Sequence, residues 1–260
     1  MKNNLWSFGC SFSEDFQERI IQFRKQQEQE NLWKFYENKF GLSTLKSWQY
    51  YISEYLDLNA NIYGMGGGSN YHIFESICNE SVNFAKDDLV IIEWTNTTRT
   101  RIPNLKENIW STITSTNYPS HMNIDGVSLY SESFFNEIIL SRDSDKYFDE
   151  LSSYMKLLKR LSHEIGFKLF FWSIDPVFVS YLYKQNLIDE YWFEHDNPNF
   201  DTSFINFFQE MGAKQIYEES DFKFQDCHFG QQGNEVIGDY FKNYIENKSS
   251  LTGTIKKNLL

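Results

Sequence analysis

Four short stretches of this chain carry residue types that chemistry needs. In the first, Phe8-Gly9-Cys10-Ser11-Phe12-Ser13, an apolar run ends in a glycine-containing turn that presents a serine. A hydroxyl nucleophile needs such a turn, with free backbone N–H groups beside it to receive developing negative charge. Taken alone, Gly-x-Ser after a strand is also an ordinary turn. The second stretch is Tyr63-Gly64-Met65-Gly66-Gly67-Gly68-Ser69-Asn70. Glycines let backbone approach a ligand, and the helix that follows favours anions at its N-terminus. A nucleotide-phosphate loop fits badly, because Ser69 stands where a third glycine is expected and no Walker lysine is present. Two readings remain: a connection N-capped by Ser69 or Asn70, or a loop that offers one glycine N–H to an anionic intermediate.

The third stretch, Ile92-Glu93-Trp94-Thr95-Asn96-Thr97-Thr98-Arg99, sets a polar amide just beyond an apolar run. Asn96 either caps the next segment or aims its side-chain NH₂ at developing charge. The fourth is Gln225-Asp226-Cys227-His228-Phe229-Gly230-Gln231-Gln232-Gly233-Asn234, a turn-rich lead into the last helical pattern. Neutral imidazole is the ordinary general base near pH 7, and a carboxylate two residues away in extended chain projects to the same side and could orient it. Of the five histidines, His72 and His163 lie within helical patterns and His121 and His195 in polar insertions; His228 is the one with a mechanistic neighbour.

These loops need elements to hold them. Short apolar, β-branched or aromatic runs bounded by turn residues predict five strands, at 5–8, 61–63, 89–94, 168–173 and, more weakly, 214–217. Helical spacing fills 45–56, 71–84, 147–165, 202–211 and 234–244, and Gly166 stands where a C-cap ends the third of these. Alternation of strands and helices predicts right-handed crossovers and a parallel sheet covered on both faces, a three-layer α/β/α domain. With the flavodoxin-like strand order 2-1-3-4-5, ligands bind beyond the carboxyl ends of strands one and three, at residues 9–13 and 95–99. The polar 14–40 segment reads as an exposed helical excursion, and 103–141 as an irregular polar insertion. No internal repeat or linker divides residues 1–260, so one domain is expected.

Composition narrows the function classes. The chain has 260 residues, 24 Lys+Arg against 36 Asp+Glu and a formal charge of −12. Sequence-independent grip on nucleic acid rests on Lys and Arg neutralising phosphates, so a nucleic-acid partner is not expected. No apolar run approaches the roughly 18 residues of a membrane span, and polar Asn3, Asn4, Ser7 and Ser11 interrupt the start where a secretory signal would need an apolar region. A cytoplasmic location is the expectation. Cys10, Cys78 and Cys227 are odd in number and widely spaced, against both a disulfide framework and a zinc cluster, and are expected reduced and mostly buried.

In their order and spacing, the four stretches together resemble the SGNH (GDSL-like) hydrolase family, matching in four short blocks between residue 5 and about residue 245. The resemblance implies a serine esterase or deacylase without metal or organic cofactor. Its nucleophile falls on Ser11, its base on His228 and its third triad member on Asp226. The oxyanion hole falls on the Ser11 N–H, Gly67 and Asn96, with Gly66 or Gly68 the alternatives if the turn is shifted. Cys10 departs from the family's Gly-Asp-Ser, Trp94-Thr95-Asn96-Thr97 from Gly-x-Asn-Asp, and Asp226-x-His228 is one residue shorter than the usual D-x-x-H. The substrate expected is a short acyl ester, chiefly acetyl, on a carbohydrate or similarly polar alcohol. The rival class is a catalytically silent carbohydrate- or protein-binding module on the same fold. The oligomeric state is not legible.

Overall fold

The computed structural model describes residues 2–25, 29–97, 99–104, 109–113, 123–124, 127–128, 144–194, 204–220 and 228–258, with side chains described within 2–99 and 147–247. It is an α/β protein built on a four-stranded, all-parallel sheet flanked by helices. The strands are β1 (Asn4–Gly9), β2 (Asn59–Gly64), β3 (Leu89–Trp94) and, after further short strands, β8 (Lys168–Ser173). Their order is β2-β1-β3-β8.

Alternate residues of each strand point to opposite faces, and each face finds its own helices. Trp6, Phe8, Val90, Ile92, Trp94 and Phe171 pack on one side against α4 (Asn70–Glu80), α5 (Ser144–Ile165) and α6 (Pro176–Lys184). Leu5, Leu89, Ile91, Phe170 and Trp172 pack on the other against α3 (Trp48–Tyr55), α7 (Phe204–Glu210) and α9 (Gln231–Asn258). Burial on both faces is why β1, β3 and β8 read as largely apolar runs. Buried Asp88, just ahead of β3, ties the amino end of the sheet by accepting from Asn4 N at 2.8 Å, Trp6 Nε1 at 2.8 Å and Ala85 N at 3.0 Å. Gly166, at φ +90°, ends α5 as its position suggests, with its N–H donating to Ser162 O at 2.7 Å.

Four expectations are corrected. Residues 214–217 form no sheet strand: Gln215 makes one antiparallel bridge, to Phe229, and the chain turns directly into α8 (Ile216–Ser220). Its backbone groups are used by the segment carrying His228 instead. The 14–40 segment is a small structure with its own core, not an exposed excursion: α1 (Phe16–Phe23) and α2 (Glu30–Phe40) enclose Phe16, Ile20, Leu32, Tyr36 and Leu45 together with Ile216 of α8. The 103–141 insertion includes two antiparallel pairs, β4 (Thr100–Asn104) with β5 (Ile109–Ile113) and β6 (Asn123–Ile124) with β7 (Val127–Ser128). Cys78 is exposed, while Cys10 is buried; Cys227 lies outside the described residues. Helix α6 has no counterpart in the periodicity reading. Its signal is Asp175-Pro176, an N-cap followed by proline in the first turn.

Among the described residues no helix is long and apolar enough to cross a membrane, and no His/Cys/Asp/Glu group is arranged to hold a metal ion.

Candidate active site

The turn that carries Ser11 is held from three sides. Strand β1 ends at Gly9, and the chain reverses with Ser13 N donating to Cys10 O at 3.0 Å, leaving Ser11 at the crest. Helix α3 fixes the turn from one face of the sheet: Trp48 Nε1 donates to Phe12 O at 3.1 Å and Gln49 Nε2 to Ser13 O at 2.8 Å. Just ahead of that helix, Ser47 Oγ accepts from Phe16 N at 2.7 Å. The third support is the end of β2, where Gly64 sits beside Gly9 in the parallel register. A Cβ on Gly64 would lie 2.2–2.3 Å from the Ser13 and Glu14 backbone, and one on Gly9 2.5 Å from both Glu93 Oε2 and Ser13 Oγ. Gly64 is glycine because backbone packs on backbone there, and Gly9 because the Glu93 and Ser13 side chains close over it.

The His228 segment comes to the same edge from the far end of the chain. Ile216 N donates to His228 O at 2.7 Å and Gly230 N to Lys214 O at 3.0 Å. Buried Glu219 then accepts from Gln231 N and Gln232 N, both at 2.8 Å, and from Tyr36 Oη at 2.7 Å. The carboxylate thus satisfies two of the unpaired donors at the start of α9 and binds the α2 helix to it. Downstream, Gln231 Oε1 accepts from Lys46 N, and Asn234 Oδ1 accepts from Trp48 N. The polar residues after His228 therefore join its helix to the one that holds the serine turn. Glu219→Ala should lower unfolding stability by about 2–3 kcal/mol, from lost charge-assisted bonds and a lost cap, in urea titrations. A change within about 0.5 kcal/mol would show that water replaces the carboxylate at no cost.

These supports bring Ser11 Oγ and His228 Nε2 to 2.6 Å. Phe12 lies against the imidazole, ring centroids 4.5 Å apart. At the other ring nitrogen, Arg19 Nη2 of α1 stands 2.9 Å from His228 Nδ1, and Arg19 Nη1 pairs with Glu14 Oε2 at 3.1 Å. Burial pushes the Glu14 carboxyl above its usual range, against the pull of Arg19. Asp226 lies outside the described residues.

The residues after β3 are fixed on either side of Asn96. Asn70, the first residue of α4, accepts from Thr95 N at 2.7 Å and donates to Thr95 O at 3.0 Å. Asp175 Oδ2 accepts from Thr97 N at 2.7 Å and Thr97 Oγ1 at 2.6 Å, while Oδ1 caps α6. Asn96 itself is exposed between these anchors. In the glycine loop Ser69 is the N-cap of α4, with His72 closing a capping box. Gly67 is exposed at φ +73°, and Arg99 Nη1 donates to Gly68 O at 3.2 Å. Ser11, Gly67 and Asn96 thus all lie at the carboxyl ends of β1, β2 and β3, neighbouring strands of one sheet.

Beneath the turn is a buried acidic pair. Cys10 Sγ donates to Glu93 Oε1 at 2.8 Å. Burial, then the neighbouring Glu93, push the Cys10 thiol up to about 12, so it stays protonated. Burial also raises the Glu93 carboxyl, against donors on Cys10 and Ser13 and the charge of Arg99. A raised acid binds its proton more tightly in the folded chain, which adds stability below the ordinary carboxylate range and loses it as pH rises through the folded value. Glu93→Gln cannot ionise. Its melting temperature relative to wild type should therefore climb between pH 4 and pH 8. A difference that falls over that range would show the ionised carboxylate to be the favoured form.

Arg19, Asn70, Glu93 and Glu219 carry no sequence signal that marks them as site residues. The Asp175-Pro176 and Ser69 caps had local signals; a partner 209 residues away, as Arg19 has, leaves none. Comparison of the chain with family models, with curated proteins and with solved structures finds no match.

Proposed function

We propose that this chain is a serine ester hydrolase of the SGNH (GDSL-like) type, its sheet the core of a three-layer, flavodoxin-like α/β/α domain. The observation that carries this reading is the 2.6 Å approach of Ser11 Oγ and His228 Nε2, residues 217 apart in sequence, at the carboxyl edge of the sheet. A nucleophile and a base within hydrogen-bond reach, on a turn at the end of a strand, is the unit that acyl transfer requires. In the reaction, Ser11 Oγ attacks the ester carbonyl carbon while His228 Nε2 takes its proton. The C–O bond to the alcohol then breaks as that proton passes to the leaving oxygen. Water, activated by the same nitrogen, releases the acid and restores Ser11. Asp226 is the group proposed to hold the proton on Nδ1.

The Ser11 N–H, Gly67 and Asn96 are proposed to receive the tetrahedral oxyanion. The two anchors flanking Asn96 support its part, since a preorganised donor needs no rearrangement as charge develops. Asn96→Ala should lower kcat by about 10²-fold with KM little changed, as for loss of one oxyanion donor. A change in KM alone would make Asn96 a ground-state contact. The substrate class proposed is a short acyl ester, chiefly acetyl, on a carbohydrate or similarly polar alcohol. A series of nitrophenyl esters together with acetylated sugars tests it. A small acyl pocket predicts kcat/KM falling beyond about four acyl carbons, with ~1–3 kcal/mol at stake per methylene. Preference for octanoyl or longer chains would point to a lipase or thioesterase instead.

A further inference from the structure

Two cross-links tie the loop after β3 to the glycine loop after β2, and Asn96 lies between them. Upstream, the Asn70 side chain bonds both backbone groups of Thr95. Downstream, Arg99 N donates to Asn96 O at 3.2 Å, and the Arg99 side chain crosses to the neighbouring loop, where Nη1 donates to Gly68 O at 3.2 Å. On the glycine side, Gly68 N donates to Met65 O at 2.9 Å, so both backbone groups of Gly68 are bonded. Gly67, next to it, is exposed at φ +73°, and among the described residues no atom lies within 4 Å of its Cβ position. Packing does not hold that tip; the bonds of Gly68 do.

The same side chain brings a charge to this edge. Arg99 is half-buried, and its positive charge reaches the Cys10 thiol and the Glu93 carboxyl beneath the Ser11 turn, where it works against the rise that burial imposes on both. Its influence thus extends to the ends of β1, β2 and β3. A cation fixed in advance needs no rearrangement as negative charge develops beside it. In a chain of formal charge −12, it is also a local exception to the surrounding field.

We propose that Arg99 is a positioning residue for the oxyanion hole: its guanidinium fixes Gly67 relative to Asn96 and keeps a positive charge close to the developing oxyanion. This rests on the hydrolase reading above and extends it to a residue that acts through the glycine loop. With the side chain removed, one of the two cross-links is lost and the loop can turn on its glycines. A displacement of about 1 Å at a group that acts on the transition state costs about 10²-fold in rate. Binding of the neutral ester, which carries no oxyanion, changes little.

The test reads two variants by kinetics and by a tetrahedral anion. Phenylboronic acid is trigonal and neutral until the Ser11 oxygen adds to boron; the O–B bond forms, the serine proton passes to His228, and boron becomes a tetrahedral anion with no group leaving. Its affinity, measured by calorimetry, reports oxyanion binding without turnover. Arg99→Met should lower kcat for phenyl acetate by about 10²-fold with KM within about twofold, and should weaken phenylboronic acid by a factor similar to the loss in kcat/KM. Circular dichroism should match wild type; should Arg99→Met lose its fold, Arg99→Gln carries the same comparison. Arg99→Lys, a shorter positive donor, should recover about tenfold of both losses. A loss confined to KM, a fall in kcat with phenylboronic acid unaffected, or no recovery with lysine would each overturn the proposal. Wild-type rates in Arg99→Met, from a protein that does hydrolyse the ester, would overturn this inference alone. If wild type neither hydrolyses phenyl acetate nor takes up phenylboronic acid, the hydrolase reading fails and this inference falls with it.

Discussion

Ser11→Ala and His228→Ala should each reduce ester hydrolysis by about 10⁴-fold or more, while the double variant is no worse than either single one. The reason is geometric. Ser11 Oγ and His228 Nε2 are 2.6 Å apart, and in the proposed reaction they act on the same proton, so losing either would remove the whole nucleophile–base unit. Neither substitution should unfold the protein. His228 keeps its backbone bond to Ile216 when the ring is lost, and the turn at Ser11 is held by Trp48 and Gln49 through backbone oxygens of Phe12 and Ser13. The check is steady-state hydrolysis of a nitrophenyl ester with circular dichroism on each variant. Additive losses in the double variant would mean that the two residues work independently.

Gly64→Ala should have the next largest effect, on a residue that supplies no chemical group. Its new methyl would lie 2.2–2.3 Å from the backbone of Ser13 and Glu14, contacts that must open by more than 1 Å. Backbone cannot swing aside as a flexible side-chain end can, so the chain beyond Ser11 has to move. Overpacking of this kind costs about 1–3 kcal/mol of stability. A 1 Å displacement of a catalytic group costs about 10²-fold in rate. The expected result is a lower melting temperature with kcat down by about two orders of magnitude. Gly67→Ala is the matched control for space: no atom lies within 4 Å of its Cβ position, so what it suffers comes from its φ of +73°. Wild-type rates in Gly64→Ala would show that the turn does not depend on β2 for its place.

The parts of the fold that were legible in the sequence are those buried on both sides. Leu89 to Trp94 is buried at every position, and so reads as an apolar run broken only by Glu93. The weak 214–217 segment shows the limit of that signal: Ile216 and Tyr217 have strand-like side chains, but the backbone bonds of 214–216 go to the 228–230 segment, and periodicity does not say who the partner is. The core of the 14–40 segment is hidden in the sequence for a related reason. Its helices bury one face against Leu45 and Ile216, contacts that become visible only when chain far apart in sequence is brought together. Ser11, Gly67, Asn96 and His228 are readable as candidates because each stands in a turn that follows or precedes a legible element. Arg19 and Glu219, in contrast, are charged residues in charged surroundings, and what distinguishes them is the ring nitrogen and the helix start that they meet.

The central claim, that Ser11 is a nucleophile activated by His228, is tested most directly by a fluorophosphonate followed by mass mapping of the labelled peptide. The reagent reacts with an activated serine hydroxyl by losing fluoride and forming an Oγ–P bond, so it reads nucleophilicity without knowledge of the natural ester. The account predicts one phosphonyl group per chain, on Ser11 and not on Ser7 or Ser13, with labelling abolished in Ser11→Ala and slowed by orders of magnitude in His228→Ala. Folded wild-type protein that takes up no label, or takes it up at another serine, would contradict the account.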